Sequence, residues 1–323
     1  MKTLEDVGEV GIVKWLIETF PTESPDIILG NGHDAAVVSI PDKVALKTDT
    51  LVVSEMLSGV GYSDVGWKAI VACISDLAAI GAKPLFCTLS FSSPRSLRFS
   101  RFKQIFMGVK EALTYCKTRF VGGDLSESHD IVITVNAAGS APNPVPRTGG
   151  KPGDYIAVSR PFGLEPLGLR HLLGKITLDE NLAKLSTSSF LRPVPEVDYG
   201  QRLASLAGVH ACTDSSDSLS ISLSNMLGGK LDAHLIRLPA HPSIEGLGPG
   251  VVEDLVLNGG EEYALVYAYD PRYDRALVKS LSKIRRSRMV IGRLSEGRGR
   301  IFVRTPAGEK IVIPAGWRQF QSR

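Results

Sequence analysis

The sequence SDVGWKAIVACISDLAAIGAKPLFCTLSF, residues 63–91, contains a complete helix-to-strand unit. Ser63 is a preferred cap residue at a helix N-terminus, and Gly81 stands where glycine commonly follows a helix C-terminus. Between them, apolar residues recur at helical spacing at Trp67, Ile70, Val71, Ile74 and Leu77. A β-rich run follows from Leu85 to Phe91. The stretch predicts a helix from Ser63 to about Ile80 and then a strand.

The first half of the chain repeats this mixture of helices and strands. It predicts a helix over about 9–20, strands over 35–40 and 44–53 joined in a hairpin by the turn tripeptide Pro41-Asp42-Lys43, a helix over 100–116, a strand near Phe120 and a strand over 131–138. A Pro-rich stretch over 141–146 predicts a linker. The pattern indicates an α+β (mixed α/β) fold with two domains, residues 1–144 and 145–323.

The second half alternates strands and helices again. It predicts strands over 154–159, 210–213 and 263–269 and near Met289, Ile301 and Ile311, with helices over 163–173, 197–206, 216–227, about 251–257 and about 275–281. Residues 259–262, Gly-Gly-Glu-Glu, predict a tight turn before the strand that begins at Tyr263.

Isolated aspartates are the main chemical signal in the chain. They occur in short Gly, Ser, Thr and Ala segments between apolar runs, at Asp34, Asp49, Asp76, Asp124, Asp214 and Asp217. A carboxylate beside a buried element is costly without a partner, and these segments contain almost no Lys or Arg. Mg²⁺ takes oxygen ligands and commonly retains substrate phosphates, so the aspartates predict a metal site that handles phosphate.

Asp76 adds an electrostatic argument for that site. It falls in the last turns of the predicted helix, where the helix dipole is unfavourable for a carboxylate. A nearby cation would offset this cost, and a bound metal ion would supply one.

Each of these residues also has a simpler interpretation. Asp214 and Ser216 are preferred helix caps, Asp34 suits a plain turn, and Asp49 with the hydroxyl of Thr48 suits a local hydrogen-bond network as well as a metal shell. The pair Gly122-Gly123 before Asp124 fits either a tight turn or a close approach of phosphate to the backbone. Glu261 is first a turn residue, and Arg147 is either an exposed arginine or a phosphate clamp.

Composition excludes several other classes of protein. The 323 residues are 43% hydrophobic and 22% charged with a net charge of +3, which indicates a globular protein without a basic nucleic-acid footprint. No apolar run is long enough to cross a bilayer, and no signal-peptide pattern opens the chain. The four cysteines are scattered without metal-ligand spacing, which favours free thiols and a cytoplasmic location. P-loop, protein-kinase, Rossmann and nucleophile-elbow motifs are all absent from the sequence.

Seven segments, in order, resemble the thiamine-monophosphate kinase family. They are GHDAA, KTDTLV, WKAIVACISDLAAIGAKP, VGGD, PVPRTGGKPGDYIAVS, TDSSDSL and LNGGEEYAL, and GWRQF follows near the C-terminus. That family belongs to a superfamily with aminoimidazole ribonucleotide synthetase, selenophosphate synthetase and a hydrogenase maturation protein. The resemblance implies a homodimer whose N-terminal domains pair their sheets into a shared β-barrel. It also implies a C-terminal α/β sandwich domain that completes an ATP-binding cleft.

The resemblance further implies roles for individual residues. The implied Mg²⁺ ligands are Asp34, Thr48, Asp49, Asp76, Asp124, Asp214 and Asp217. The implied nucleotide contacts are Gly122, Gly123, Asp124, Arg147 and Ser216. The implied substrate contacts are Met56, Glu261 and Trp317.

Four positions depart from the family pattern. His33 replaces the first of two aspartates, Ser218 replaces a glycine, Glu262 replaces an aspartate, and Met56 falls near a histidine that contacts substrate in many members. The resemblance implies ATP-dependent phosphorylation of thiamine monophosphate by direct transfer of the γ-phosphoryl group, without a catalytic side chain. Two alternatives stay open, another ATP-using enzyme of the superfamily and a nucleotide-binding module without turnover.

Overall fold

The structure is a computed structural model that describes residues 2–30, 33, 35–40, 43–54, 56–305 and 308–316. The chain divides into two compact units. The first unit consists of Met1–Leu77 and Ala82–Pro142, and the second consists of Ala78–Gly81 and Asn143–Arg323.

The first unit is built around a four-stranded sheet. Its elements are α1 (Leu4–Thr19), β1 (Ile27–Leu29), β2 (Val37–Val38), β3 (Val44–Val53), α2 (Tyr62–Ala79), β4 (Lys83–Ser93), α3 (Phe99–Tyr115), β5 (Arg119–Glu127) and β6 (Ile131–Ser140). The sheet has the order β3-β6-β4-β5, in which only β4 and β5 run parallel. Strands β1 and β2 form a separate antiparallel pair.

Close helix packing fixes α2 against its neighbours. A Cβ atom on Gly66 would lie 1.9 Å from the main-chain oxygen of Ile105, so only glycine allows α2 and α3 to approach this closely. On its other side, the thiol of Cys73 lies 3.6 Å from the main-chain oxygens of Lys47 and Val135. The helix therefore covers β3 and β6, and Asp76 follows Cys73 by about one turn.

Two predictions for the first unit are wrong. Strand β2 pairs with β1, and β3 pairs along its whole length with β6, so 35–40 and 44–53 do not form the expected hairpin. The turn tripeptide suggested a local pairing, but the ten-residue partner β6 is distant in sequence. The tight-turn interpretation of Gly122-Gly123 is wrong as well, because both glycines lie inside β5.

The second unit contains a seven-stranded sheet. Its elements are β7 (Tyr155–Val158), α4 (Leu164–Leu172), α5 (Glu180–Leu191), α6 (Val197–Ala204), β8 (Val209–Ser215), α7 (Leu219–Leu227), β9 (Leu231–Leu235), α8 (Pro249–Asn258), β10 (Ala264–Tyr269), α9 (Asp274–Ser282), β11 (Met289–Glu296), β12 (Ile301–Thr305) and β13 (Gly308–Val312). Short 3₁₀ helices occupy Pro242–Leu247 and Pro271–Tyr273. The strand order is β13-β12-β9-β11-β7-β10-β8, and only the β9–β12 pair is parallel.

Both faces of the strands around β10 are buried. In β10, Val266 packs into one apolar core while Leu265 and Tyr267 pack into another. Side chains alternate between the faces of a strand, so the two cores lie on opposite sides of the sheet. Full burial of such side chains contributes about 1.5–3 kcal/mol each.

The mixed α/β class is confirmed, and so is the helix predicted from Ser63, which spans Tyr62–Ala79 with Gly81 at φ 75° just beyond it. Sequence reasoning missed α5 and β9. It also began α7 too early, because Ser218, not Ser216, caps that helix by accepting a hydrogen bond from the Ile221 N–H at 3.1 Å. The four cysteines are free and buried, as predicted.

Candidate active site

Lys47 holds two of the predicted metal ligands together. Its ammonium nitrogen Nζ lies 2.7 Å from Oδ2 of Asp76 and 3.5 Å from Oδ2 of Asp49. Lys47 and Asp49 lie two residues apart on β3 and therefore face the same side of the sheet, the side that α2 covers. The carboxylate near the end of α2 thus has the cation that the helix dipole requires. The expectation that these segments lack a nearby Lys or Arg is wrong at this point.

The pKa of Lys47 reflects this placement. Burial lowers it, but the hydrogen bond and charge of Asp76, followed by the charge of Asp49, outweigh burial and raise the pKa above its ordinary value. Carboxylate oxygens of Asp49 and Asp76 thus both lie close to one positive charge, the Lys47 ammonium. Hard oxygen donors around a cation position fit the chemistry of Mg²⁺.

Thr48 lies on the opposite face of β3. Its hydroxyl donates a hydrogen bond of 2.8 Å to Oδ1 of Asn136 on β6. The structure therefore does not bring the Thr48 hydroxyl to the carboxylates of Asp49 and Asp76. Asp49 is also bound locally, because its Oδ1 accepts a 2.8 Å hydrogen bond from the Thr50 N–H.

The glycine pair on β5 has two different environments. A Cβ atom on Gly123 would lie 2.1 Å from the main-chain oxygen of Leu89, whereas one on Gly122 would meet nothing within 4 Å. Gly122, Gly123 and Asp124 line a cavity of about 410 Å³, together with His33. Gly123 is thus required by strand packing, while Gly122 leaves open space beside the Asp124 carboxylate.

No group of three or more His, Cys, Asp or Glu side chains is arranged to hold a metal ion among the residues for which positions are described. Asp34 and Trp317 lie outside those residues. Arg147 is exposed, and Met56 is half-buried between β3 and α2.

In the second unit the structure brings three predicted residues into one pocket. Ser216, Asp217 and Glu261 line a cavity of about 320 Å³, with Gly260 and Gly316 beside them. The Glu261 N–H donates a 2.7 Å hydrogen bond to the Ser216 carbonyl, which links two segments far apart in the sequence. Asp214 is 6% exposed at the end of β8, and its carbonyl accepts a 2.9 Å hydrogen bond from the Ser222 hydroxyl.

The loop that carries Glu261 has a strained backbone. Glu261 has φ 70° and Tyr263 has φ 50°, both in the left-handed region that non-glycine residues rarely adopt. Each such residue costs on the order of 1–3 kcal/mol and persists only when its surroundings hold it. The Tyr263 hydroxyl donates a 3.2 Å hydrogen bond to Oε2 of Glu261.

A buried charge cluster that the sequence analysis missed holds this loop. Oε1 of Glu262 accepts a 2.5 Å hydrogen bond from the Gly163 N–H, and the Glu262 carbonyl accepts one from Arg160. Arg160 also pairs with Glu165 at 2.6 Å and lies 3.5 Å from Glu196. Burial, and then the charge of Glu165, raises the pKa of Glu262 well above its ordinary value. The second acid of Gly-Gly-Glu-Glu was the available signal for this cluster.

Among the helices of the described residues, none has the length and apolar character that crossing a bilayer requires.

Residues 32–141 match the family described as AIRS, AIR synthase related protein, N-terminal domain.

Comparison with known proteins extends the similarity to most of the chain. The thiamine-monophosphate kinase of Synechococcus elongatus is 32% identical over 316 residues, which is 91% of each chain. The crystal structure of thiamine-monophosphate kinase from Stenotrophomonas maltophilia K279a has a TM-score of 0.78 at 28% identity, over 89% of this chain and 94% of that one. The structure of AaThiL complexed with AMPPCP and TMP has a TM-score of 0.75 at 29% identity, over 99% of both chains. The chain belongs to the thiamine-monophosphate kinase family.

Proposed function

We propose that this protein transfers the γ-phosphoryl group of ATP directly, in line, to the phosphate of thiamine monophosphate, which yields thiamine diphosphate and ADP. The observation that carries the proposal is the match with AaThiL over 99% of both chains, because that protein is complexed with both AMPPCP and TMP. The match supports an ATP-dependent reaction on a phosphate-bearing acceptor.

We assign the metal-binding role to carboxylates of both units. In the first unit these are Asp34, Asp49, Asp76 and Asp124, and in the second unit Asp214 and Asp217. The assignment also includes Thr48, the chain neighbour of Asp49, although its hydroxyl lies on the other face of β3. The paired approach of Asp49 and Asp76 to the ammonium of Lys47 supports this assignment. When bound, Mg²⁺ supplies charge neutralisation between the two polyanionic reactants.

The remaining residues bind and orient the reactants. Gly122 and Gly123 offer main-chain contact to phosphate beside Asp124, and Ser216 and Arg147 contribute further polar contacts to the nucleotide. Met56, Glu261 and Trp317 contact the thiamine phosphate. The strained, tightly held loop around Glu261 supports a role in precise placement of that substrate.

The chain needs no strong general base for this chemistry. The acceptor phosphate is already ionised near neutral pH, so its oxygen is a competent nucleophile without proton removal. Catalysis then rests on alignment and on stabilisation of charge in the transition state. No covalent intermediate with a side chain is required.

We further propose a cytoplasmic homodimer in which the first-unit sheets of two copies pair into a β-barrel. Leu46 and Val52 on β3 are 81% and 54% exposed, and apolar side chains on a sheet face are costly to leave in water. In this scheme residues 1–144 bind ATP and Mg²⁺ and form the dimer, and residues 145–323 supply the rest of the active site. The four buried, free cysteines support a reducing compartment.

The test is incubation of the purified protein with Mg²⁺-ATP and thiamine monophosphate, with hydroxymethylpyrimidine phosphate and aminoimidazole precursors as parallel acceptors. Thiamine diphosphate formation is the expected result, and Asp49→Asn or Asp124→Ala should lower it by orders of magnitude while the fold persists. Turnover with another acceptor only would indicate a different superfamily enzyme, which the residue Met56 in place of histidine would then explain. ATP binding without turnover would indicate a binding module.

A further inference from the structure

Two buried serines at the start of α7 bind the C-terminal segment of the described chain. The Ser218 hydroxyl donates a 2.6 Å hydrogen bond to the Ala315 carbonyl. The Ala315 N–H donates a 3.1 Å hydrogen bond to the Ser220 hydroxyl oxygen, which also lies 3.0 Å from the Ala315 carbonyl. Both serine side chains are 0% exposed. We call Ser218, Ser220 and Ala315 the serine clasp.

The serine clasp satisfies both main-chain polar groups of Ala315. Ser218 acts twice, since its oxygen accepts from the Ile221 N–H as the helix cap while its proton goes to Ala315. Ser220 accepts no capping bond from the helix. Besides Ala315, its hydroxyl contacts Oδ1 of Asn258 at 3.3 Å and the Ser218 hydroxyl at 3.2 Å. Each such bond contributes about 1 kcal/mol, and the cost of a buried, unpaired carbonyl is larger.

Gly316, which follows Ala315 in the chain, packs directly on Asp217. A Cβ atom on Gly316 would lie 2.7 Å from the main-chain oxygen of Asp217, and one on Gly260 would lie 2.8 Å from the same atom. The main chain of Asp217 is therefore held between two glycines from distant segments, with no room for a side chain on either. Gly316 is placed there because Ala315 is bound by the serine clasp.

We propose that Ser218 and Ser220 are positioning residues, which hold Gly316 against Asp217 and so fix Asp217 and the wall of the pocket that it shares with Glu261. The proposal rests on the proposed function, in which Asp217 binds metal and Glu261 binds the thiamine phosphate.

Three variants separate this role from simple helix capping. Ser220→Ala removes the acceptor for the Ala315 N–H and the contact with the Ser218 hydroxyl, but keeps Ser218 as the acceptor for the Ile221 N–H. Ser218→Gly removes the hydroxyl that binds the Ala315 carbonyl and keeps a tolerated cap type. Gly316→Ala leaves both serines intact but places a methyl group against the Asp217 carbonyl. Ser224→Ala, a half-buried serine further along α7, is the matched control.

The first measurement is hydrogen–deuterium exchange of the full-length, metal-free protein. We expect exchange at the Ala315 amide to rise by roughly fivefold or more in Ser220→Ala and Ser218→Gly, the factor that corresponds to loss of about 1 kcal/mol, and to stay unchanged in Ser224→Ala. Unchanged exchange in both serine variants would overturn the serine clasp. Because glycine is a tolerated helix cap, Ser218→Gly keeps the test decisive if Ser220→Ala does not fold.

The second measurement is the Mg²⁺ concentration that half-saturates AMPPCP binding. We expect it to rise by roughly fivefold in the two serine variants and in Gly316→Ala, with melting temperatures close to that of the parent protein. Faster exchange with an unchanged Mg²⁺ requirement would reduce the serine clasp to a structural contact and refute the positioning role. Absence of thiamine diphosphate formation by the parent protein would instead refute the proposed function, since exchange and AMPPCP binding do not depend on turnover.

Discussion

Substitution Lys47→Met tests whether Asp49 and Asp76 form a cation site. Methionine keeps the apolar stem of lysine but removes the ammonium that lies 2.7 Å and 3.5 Å from the two carboxylates. Lys47 and Asp76 are 33% and 26% exposed, so solvent screens the interaction and each contact contributes about 0.5–1 kcal/mol. Without Mg²⁺ we expect the free energy of unfolding of the variant to be about 1–2 kcal/mol lower than that of the parent protein. This corresponds to a fall in melting temperature of about 2–8 °C.

Magnesium should reverse this loss if the carboxylates bind it. In the parent protein the ammonium and the metal compete for the same oxygens, so removal of the ammonium should tighten Mg²⁺ binding by the same free energy. A difference of about 1–2 kcal/mol corresponds to roughly 5- to 30-fold in apparent affinity. The assay is thermal unfolding in chelator and across a Mg²⁺ titration, for the parent protein and the variant.

Two comparisons make the result specific to this site. Lys43→Met is the matched control, since the ammonium of Lys43 binds the Pro142 carbonyl at 3.1 Å, and we expect no change in Mg²⁺ response. Asp76→Asn combined with Lys47→Met should show strong non-additivity, as residues in direct contact do. The reasoning fails if Lys47→Met is fully stable in chelator, or if Mg²⁺ stabilises the parent protein and the variant equally.

The remaining predictions concern single sites. Gly122→Ala should fold normally, because a Cβ there meets nothing within 4 Å, but its ATP binding, measured by isothermal titration, should be weaker. Gly123→Ala should destabilise the sheet, because its Cβ would lie 2.1 Å from the neighbouring strand. Equal stability of the two variants would contradict this. Burial would raise the pKa of Asp232, but hydrogen bonds from Arg300 lower it to about 2, so Asp232→Asn should cost about 1–2 kcal/mol near neutral pH after allowance for the half-exposed arginine. That deficit, measured by urea unfolding, should disappear as pH falls from about 4 through about 2, because the native carboxylate is then protonated. The pKa of Glu262 is raised, so its contribution to stability is present at low pH and is lost as pH rises from the ordinary glutamate value of 4.5 towards the raised pKa. Glu262→Gln should therefore flatten the pH dependence of unfolding on the alkaline side, and an unchanged profile would show that this carboxyl does not titrate there.

Several features of this protein were readable from local sequence. The helix at Ser63 was predictable because apolar spacing, a capping serine and the glycine at position 81 all act within a few residues of each other. The aspartates were recognisable as functional candidates because carboxylates among small residues between apolar runs are costly unless they bind something. Asp217 in the second-unit pocket was identified in this way, whereas its neighbours Ser216 and Glu261 were identified through the family resemblance.

Contacts between distant residues were decided only by the tertiary structure. Strand β3 looked like half of a local hairpin, but its partner is β6, because a β-strand carries no signal that names its neighbour. The pairing of Lys47 with Asp76 requires a strand and the following helix to pack together. The serine clasp requires Ser218 to meet Ala315, close to the other end of the unit. Periodicity and capping are local properties of a chain, whereas charge pairing and burial depend on which distant segments pack against each other.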